Sequence, residues 1–113
     1  MSMPIRLAHL YSDLSTRMAE LRDQHGPVLK SRSIVEDALH DGAAHYGINT
    51  GFGVLANKRI SSDELATLQR NILLSHACGM GEPVPPEITR LMVQLKIQSL
   101  SLGYSGVSET TFK

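Results

Sequence analysis

The 113-residue sequence contains a single cysteine, no tryptophan and few other aromatic residues. One cysteine, Cys78, excludes an internal disulfide framework and is typical of a reducing compartment. Aromatic residues make up only 4% of the chain, and its 11 basic residues are balanced by 11 acidic ones. We therefore expect no nucleic-acid partner, because neither a base-stacking platform nor a basic stripe is present.

Long apolar runs are also absent from the sequence. No stretch approaches the roughly 18 consecutive apolar residues that a membrane span requires. The N-terminal residues lack the apolar core of a signal peptide. We therefore expect a soluble, cytoplasmic chain with no membrane partner, and the apolar fraction of 42% is typical of a globular protein.

Neither a metal site nor a dinucleotide site is indicated by the polar and glycine motifs. The five histidines form no HExxH pair and no Cys/His spacing typical of zinc, so we expect no bound metal. Residues 51–56 fit the pattern G-x-G-x-x-A, but that fingerprint requires a strand before it and a helix directly after it. Here a helix is predicted before the glycines, and residues 58–61 delay the next helix. The glycines are better interpreted as a loop shaped for another purpose.

Helical periodicity is the dominant pattern of the sequence. Apolar residues spaced by three and four predict four helices, the first carrying Leu7 to Leu21, and a fifth helix that begins near the end of the chain. The expected starts of the second to fifth helices are Ser33, Ser61 or Ser62, Pro85-Pro86 and Ser108-Glu109. Pro27 is expected to mark a turn between the first two helices. No two-residue alternation occurs, so the predicted fold class is all-α, with room for a short β element near residues 46–60.

Residues 46–60 form an irregular stretch between the second and third predicted helices. Loops of this length in a compact helical chain are uncommon and are usually either functional or disordered. Apolar and aromatic residues among the glycines argue against disorder. Gly47, Gly51 and Gly53 indicate positive φ angles or close backbone approach.

Two side chains near this loop are candidates for chemistry. On residue chemistry alone, Tyr46 is most simply a packing residue, although a hydroxyl beside a glycine-rich loop is easily placed in a pocket. His76 shares the apolar face of the third predicted helix. At this position, a buried histidine with a satisfied hydrogen bond is favoured about two to one over a histidine that contacts a ligand.

Three segments of the chain resemble sequence blocks of one enzyme family. Residues 46–53, YGINTGFG, resemble the signature of the histidine/phenylalanine ammonia-lyase family. Residues 68–83, LQRNILLSHACGMGEP, resemble its block LQRNLLLSHAAGVGEP, and residues 92–106 resemble the helix that follows. The resemblance runs in order from about Ser31 to Gly106.

The resemblance implies a fold as well as a family. It implies the N-terminal helical segment of the ammonia-lyase fold, of the fumarase/aspartase-like superfamily, with a long glycine-rich catalytic loop. Residues 1–30 are then an N-terminal helix and turn. Residues 31–113 are a partial ammonia-lyase N-terminal domain that stops before the Ala-Ser-Gly triplet of the family.

For the parent protein, the resemblance implies a carbon-nitrogen lyase of histidine catabolism that converts L-histidine to trans-urocanate and ammonia. Its electrophile would be methylidene-imidazolone (MIO), made autocatalytically from Ala-Ser-Gly. Tyr46 is implied as the base that removes the β-proton, and a tyrosine that titrates near 10 must be stabilised for that task. His76 is implied as a substrate contact, because Ser75-His76 resembles the pair of histidine lyases. The residues implied to shape the loop are Gly47, Asn49, Thr50, Gly51 and Gly53.

The sequence departs from the family pattern in one respect, and two alternatives to a histidine ammonia-lyase function stay open. Ala-Ser-Gly does not occur in these 113 residues, so we expect this chain alone to be inactive and without a cofactor. The family implies a homotetrameric parent. Tyrosine aminomutases also show Ser-His, so a tyrosine or phenylalanine lyase or an aminomutase is one alternative. A non-catalytic helical module that self-associates through exposed apolar stripes is the other, and it predicts oligomers of the isolated chain.

Overall fold

The computed structural model describes residues 5–113 and is built from helices. The α-helices are α1 (Leu10–Leu21), α2 (Gly26–His40), α3 (Ser62–His76), α4 (Pro86–Leu100) and α5 (Glu109–Phe112). Two short 3-10 helices occur at Leu7–His9 and Gly53–Leu55. The described residues contain no strand, and their β structure is one antiparallel bridge between Thr50 and Arg59. The predicted all-α class is confirmed.

The start of α2 differs from the prediction. The helix begins at Gly26, with Pro27 in its first turn and Ser33 well inside it. The predictions that Pro27 marks a turn and that Ser33 caps the helix are therefore wrong. The physical reason is that proline has a helical φ and its missing N–H would be unpaired in the first turn anyway. The Ser33 hydroxyl instead donates to the Lys30 carbonyl at 2.9 Å, as an intrahelical serine does.

The starts of the three later helices agree with the sequence. Ser61 precedes α3, and its hydroxyl lies 2.6 Å from a Glu64 carboxylate oxygen. Pro85 precedes α4. Ser108 caps α5, because its Oγ accepts the Thr111 N–H at 3.2 Å. These starts were predictable because each depends on a local signal within one turn of the helix.

The chain divides into two compact units. The first combines the described residues up to Ile34 with Pro83–Lys113. Within it α1 packs against α4, and Leu14 is fully buried. The small core consists of buried and partly buried apolar side chains: Leu21, Val28, Phe112, Met18, Ile97, Leu100 and Val107.

Helix α5 is fixed to this unit by a polar cluster beside the core. The His25 Nδ1 lies 3.0 Å from a Glu109 carboxylate oxygen, and the Lys113 Nζ lies 2.9 Å from the same oxygen. The hydrogen bond from His25, followed by that from Lys113, lowers the pKa of the Glu109 carboxyl below its ordinary value. The His25 ring also meets Phe112 edge-on, with centroids 5.5 Å apart. The short helix is therefore held by both polar and apolar contacts.

The second unit is Val35–Glu82, which contains the end of α2, the glycine-rich stretch and α3. Both candidate side chains, Tyr46 and His76, belong to this unit. Among the described residues, none of the helices is long and apolar enough to cross a membrane.

Candidate functional site

Tyr46 lies in a tight turn that follows α2. The Ile48 and Asn49 amides both donate to the His45 carbonyl at 3.1 Å, which closes the turn around the tyrosine. Gly47 has a φ of 78° there, so the turn needs a residue without a Cβ. The sequence Tyr-Gly thus fixes where the aromatic side chain leaves the backbone.

The buried residues Asn49 and Thr50 anchor this turn to the rest of the loop. Asn49 is only 2% exposed, and both ends of its amide are used. Its Oδ1 accepts the His45 N–H at 2.7 Å and its Nδ2 donates to the Ala43 carbonyl at 2.9 Å. Thr50 is 1% exposed and donates to the Gly51 carbonyl at 2.9 Å. Both polar side chains are buried with their hydrogen bonds satisfied.

The glycine-rich stretch is a closed loop. The Ile60 amide donates to the Asn49 carbonyl at 2.8 Å, and the Gly51 amide donates to the Lys58 carbonyl at 3.2 Å. A Cβ on Gly51 would lie 2.6 Å from the Leu55 Cβ and 3.1 Å from the Leu55 carbonyl oxygen. Close approach therefore requires Gly51, whereas Gly53 has a φ of 57°. The expectation of positive φ angles or close approach at these glycines is confirmed.

Tyr46 itself is open to its surroundings. The side chain is 66% exposed, and its ring meets Phe52 edge-on with centroids 5.8 Å apart. Its hydroxyl makes no hydrogen bond to any residue that the structure describes. The phenol is thus oriented by its backbone and by Phe52, and its oxygen is free to meet a ligand.

His76 is the last residue of α3 and is exposed. The interpretation of His76 as a buried histidine is wrong, because the apolar stripe that it extends is itself only partly covered. Its Nδ1 lies 3.0 Å from the Ile72 carbonyl oxygen and 2.8 Å from the Ser75 hydroxyl. When Nδ1 donates to the carbonyl, Nε2 of a neutral imidazole is an acceptor. The described residues include no hydrogen bond or ring contact between His76 and Tyr46.

Two polar residues shortly before Tyr46, Asp41 and His45, were not predicted from the sequence to belong to the site. The Nε2 of His45 lies 2.6 Å from the Asp41 Oδ2, and the Ala43 amide donates to the Asp41 Oδ1 at 2.8 Å. The Ala43 amide, followed by His45, lowers the pKa of the Asp41 carboxyl below its ordinary value. The available signal was the acid and the imidazole four residues apart, but such spacing is common and did not identify a site.

The described residues contain neither a metal-ligand cluster nor the triplet from which MIO is made. No group of three metal-ligating side chains occurs in the described part of the chain. Ala-Ser-Gly, from which MIO is made, does not occur in the 113 residues, so these residues do not fit the group.

Comparison with known proteins identifies the class. The chain belongs to the aromatic amino acid lyase family, whose model matches residues 8–113. The family that the three sequence blocks indicated is confirmed, and such lyases depend in general on MIO.

Similar curated proteins are histidine ammonia-lyases. That of Vibrio vulnificus strain CMCP6 is 55% identical over 69% of this chain and 15% of its own length. That of Vibrio cholerae is 51% identical over 71% of this chain and 16% of its own length. The Anaeromyxobacter dehalogenans protein is 50% identical over 76% of this chain and 17% of its own length. The chain thus spans about a sixth of the length of the relatives that it matches.

Proposed function

We propose that this chain is the N-terminal part of a histidine ammonia-lyase, which eliminates ammonia from L-histidine to give trans-urocanate. The observation that carries the proposal is the family match over residues 8–113, a range that contains both Tyr46 and His76. About 50% identity to histidine ammonia-lyases supports histidine as the substrate. The proposed whole enzyme is a cytoplasmic homotetramer, and residues 31–113 are its partial N-terminal domain.

Tyr46 is the proposed base that removes the β-proton of the substrate. Tyr46 is 66% exposed and its hydroxyl has no described hydrogen-bond partner, so a substrate can reach the residue. An ordinary tyrosine titrates near 10, so the tyrosinate must be stabilised to act near neutral pH. No described residue forms a hydrogen bond with the phenol oxygen, and we infer that the stabilising groups come from elsewhere in the whole enzyme.

His76 is the proposed contact for the substrate imidazole. With Nδ1 engaged by the Ile72 carbonyl, Nε2 accepts a hydrogen bond from an N–H of the ligand ring. Phenylalanine offers no side-chain N–H to that acceptor, so the same contact would disfavour it. The closed loop of Asn49, Thr50 and Gly51 would fix the backbone on which Tyr46 stands.

Activation of the leaving amine needs an electrophile, which MIO supplies when it is present. We expect the Ala-Ser-Gly triplet in the remainder of the gene. This chain alone is then inactive, because it provides a base and a substrate contact but no electrophile.

The test uses the protein encoded by the whole gene. Release of urocanate, tyrosine-derived coumarate and cinnamate is followed by ultraviolet absorbance with histidine, tyrosine and phenylalanine as substrates. We expect turnover of histidine, and we expect Tyr46→Phe to lower kcat by about 10²–10⁴-fold, the usual contribution of a positioned base. Tyr104→Phe is the control, because Tyr104 is 89% exposed and lies outside the loop. Unchanged turnover in Tyr46→Phe would remove the role of Tyr46, and a preference for another substrate would support a tyrosine or phenylalanine enzyme.

A second candidate function is supported by exposed apolar side chains on α4. Ile88, Met92 and Leu95 are 43%, 60% and 40% exposed, although their spacing is that of one helical face. Such a face favours association, so a non-catalytic module would form oligomers. Light scattering of the 113-residue chain tests this, and a stable monomer with cooperative unfolding would count against it.

A further inference from the structure

Three polar side chains around Tyr46 are joined in one hydrogen-bonded circuit. We call Asp41, His45 and Asn49 the clasp. The His45 Nε2 meets the Asp41 Oδ2 at 2.6 Å, and the His45 N–H donates to the Asn49 Oδ1 at 2.7 Å. The circuit closes through Ala43, whose N–H donates to Asp41 at 2.8 Å and whose carbonyl accepts from Asn49 at 2.9 Å.

His45, the residue directly before Tyr46, is hydrogen-bonded through its backbone N–H, its carbonyl and its ring. The backbone N–H of His45 is bonded to Asn49, its carbonyl accepts two further amides at 3.1 Å, and its ring is bonded to Asp41. Asn49 is almost fully buried, so its side of the circuit is fixed to the interior of the unit. The clasp therefore restrains the backbone from which the Tyr46 side chain projects.

This restraint matters because little else restrains Tyr46. Its side chain is 66% exposed, and its one ring contact is the edge-on meeting with Phe52. Catalytic groups must be held within about 0.5 Å of the productive geometry, and a displacement of about 1 Å lowers rates by about 10²-fold. A base with so few contacts of its own depends on its backbone for that precision.

We propose that Asp41 and His45 are positioning residues for Tyr46, acting through the clasp with Asn49. The proposal rests on the proposed function, in which Tyr46 is the base. Neither residue belongs to the YGINTGFG segment. Loss of the Asp41–His45 contact frees the ring of His45 and opens the circuit at its exposed side, while Tyr46 keeps its own chemistry.

The test compares variants of the protein encoded by the whole gene. We expect Asp41→Ala to lower kcat by about 10–100-fold, the range for a catalytic group displaced by up to 1 Å, with KM within about twofold. Asp41→Asn keeps an acceptor for the Ala43 amide and should restore most of kcat. Asp37→Ala is the matched control, because it removes the same charge from an exposed position of α2 in the same unit.

A structural readout accompanies the kinetics. Hydrogen exchange of the peptide that covers residues 41–49 should be faster in Asp41→Ala than in Asp37→Ala, because the turn amides lose their support. If circular dichroism shows that Asp41→Ala is unfolded, His45→Ala is compared with His45→Gln instead. Glutamine retains a donor towards Asp41, and alanine does not. Loss in the alanine variant with recovery in the glutamine variant supports the clasp.

The outcomes separate the two proposals. A wild-type enzyme that turns over histidine, with Asp41→Ala equal to Asp37→Ala in kcat and in exchange, overturns the clasp and leaves the proposed function intact. Equal losses of kcat in Asp41→Ala and Asp41→Asn also overturn it. The clasp predicts that asparagine restores most of kcat, whereas a merely structural role of Asp41 predicts no such recovery. A wild-type protein without ammonia-lyase activity overturns both.

Discussion

Replacing Gly103 by alanine should destabilise the first unit far more than replacing Gly26 by alanine. Gly103 follows α4 and has a φ of 77°. A Cβ there would lie 2.5 Å from the Pro27 carbonyl oxygen and 2.9 Å from its carbonyl carbon. These are backbone atoms in the first turn of α2, so they are unable to move aside as the end of a flexible side chain would.

The magnitude combines two effects. A left-handed conformation costs a residue with a Cβ about 1–2 kcal/mol relative to glycine. Inserting a methyl group into a filled space costs a further amount of about 1–3 kcal/mol. We therefore expect Gly103→Ala to lower the free energy of unfolding by about 2–5 kcal/mol, a large part of the stability of about 5–15 kcal/mol that is common for small domains.

Urea unfolding of the 113-residue chain, followed by far-ultraviolet circular dichroism, measures this change. Gly42→Ala isolates the conformational effect, because Gly42 has a φ of 81° and nothing within 4 Å of its Cβ position. Gly26→Ala has open space and no left-handed backbone, so it should cost nothing. Hydrogen exchange read over each unit assigns the loss. A Gly103→Ala chain no less stable than Gly42→Ala would refute the close contact with Pro27.

Two further predictions concern the first unit. The hydrogen bond from His25 lowers the pKa of Glu109 below 4.5, so the carboxylate stabilises the fold above that value and this stability is lost as the pH falls below it. The wild type should therefore unfold at higher urea than Glu109→Gln near neutral pH, and the two should converge well below pH 4.5; a constant gap would contradict the assignment. Leu14 is fully buried, so Leu14→Ala should cost about 2–5 kcal/mol in urea unfolding. Leu7, which is 91% exposed, provides the control variant Leu7→Ala, and equal losses would show that Leu14 is not a core residue.

The helix starts show what local sequence can and cannot predict. Ser61 and Ser108 were predictable because a small polar residue before an acidic first turn favours a helix start regardless of the rest of the fold. The start of α2 was missed because glycine and proline, as at Gly26 and Pro27, occur both in turns and at helix starts. Packing of Val28 into the core favours the helical alternative there, and packing is not visible in a local pattern.

For the candidate site too, local sequence indicated some features, and features that depend on packing or on a turn were missed. The resemblance indicated Tyr46 and His76 as candidates, because each lies in a segment whose letters match a family block, and their roles stay predictions. The exposure of His76 was not predictable, since periodicity shows which residues share a face and not whether anything covers that face. The contact between Asp41 and His45 was missed because it depends on the turn at Gly42, which brings together side chains that no motif links.

In the proposed enzyme, substrate choice and proton removal depend on different residues, His76 at the end of α3 and Tyr46 in the loop. The Ile72 carbonyl, 3.0 Å from the His76 Nδ1, favours the tautomer in which Nε2 accepts, and the proposed preference of His76 for an N–H donor rests on that contact within this chain. The proposed reactivity of Tyr46 has no such support here, because no described residue forms a hydrogen bond with its hydroxyl. Substitutions near His76 should then change which amino acid is accepted. Substitutions that tune the pH dependence of kcat through Tyr46 should lie largely outside these residues, in the remainder of the whole protein.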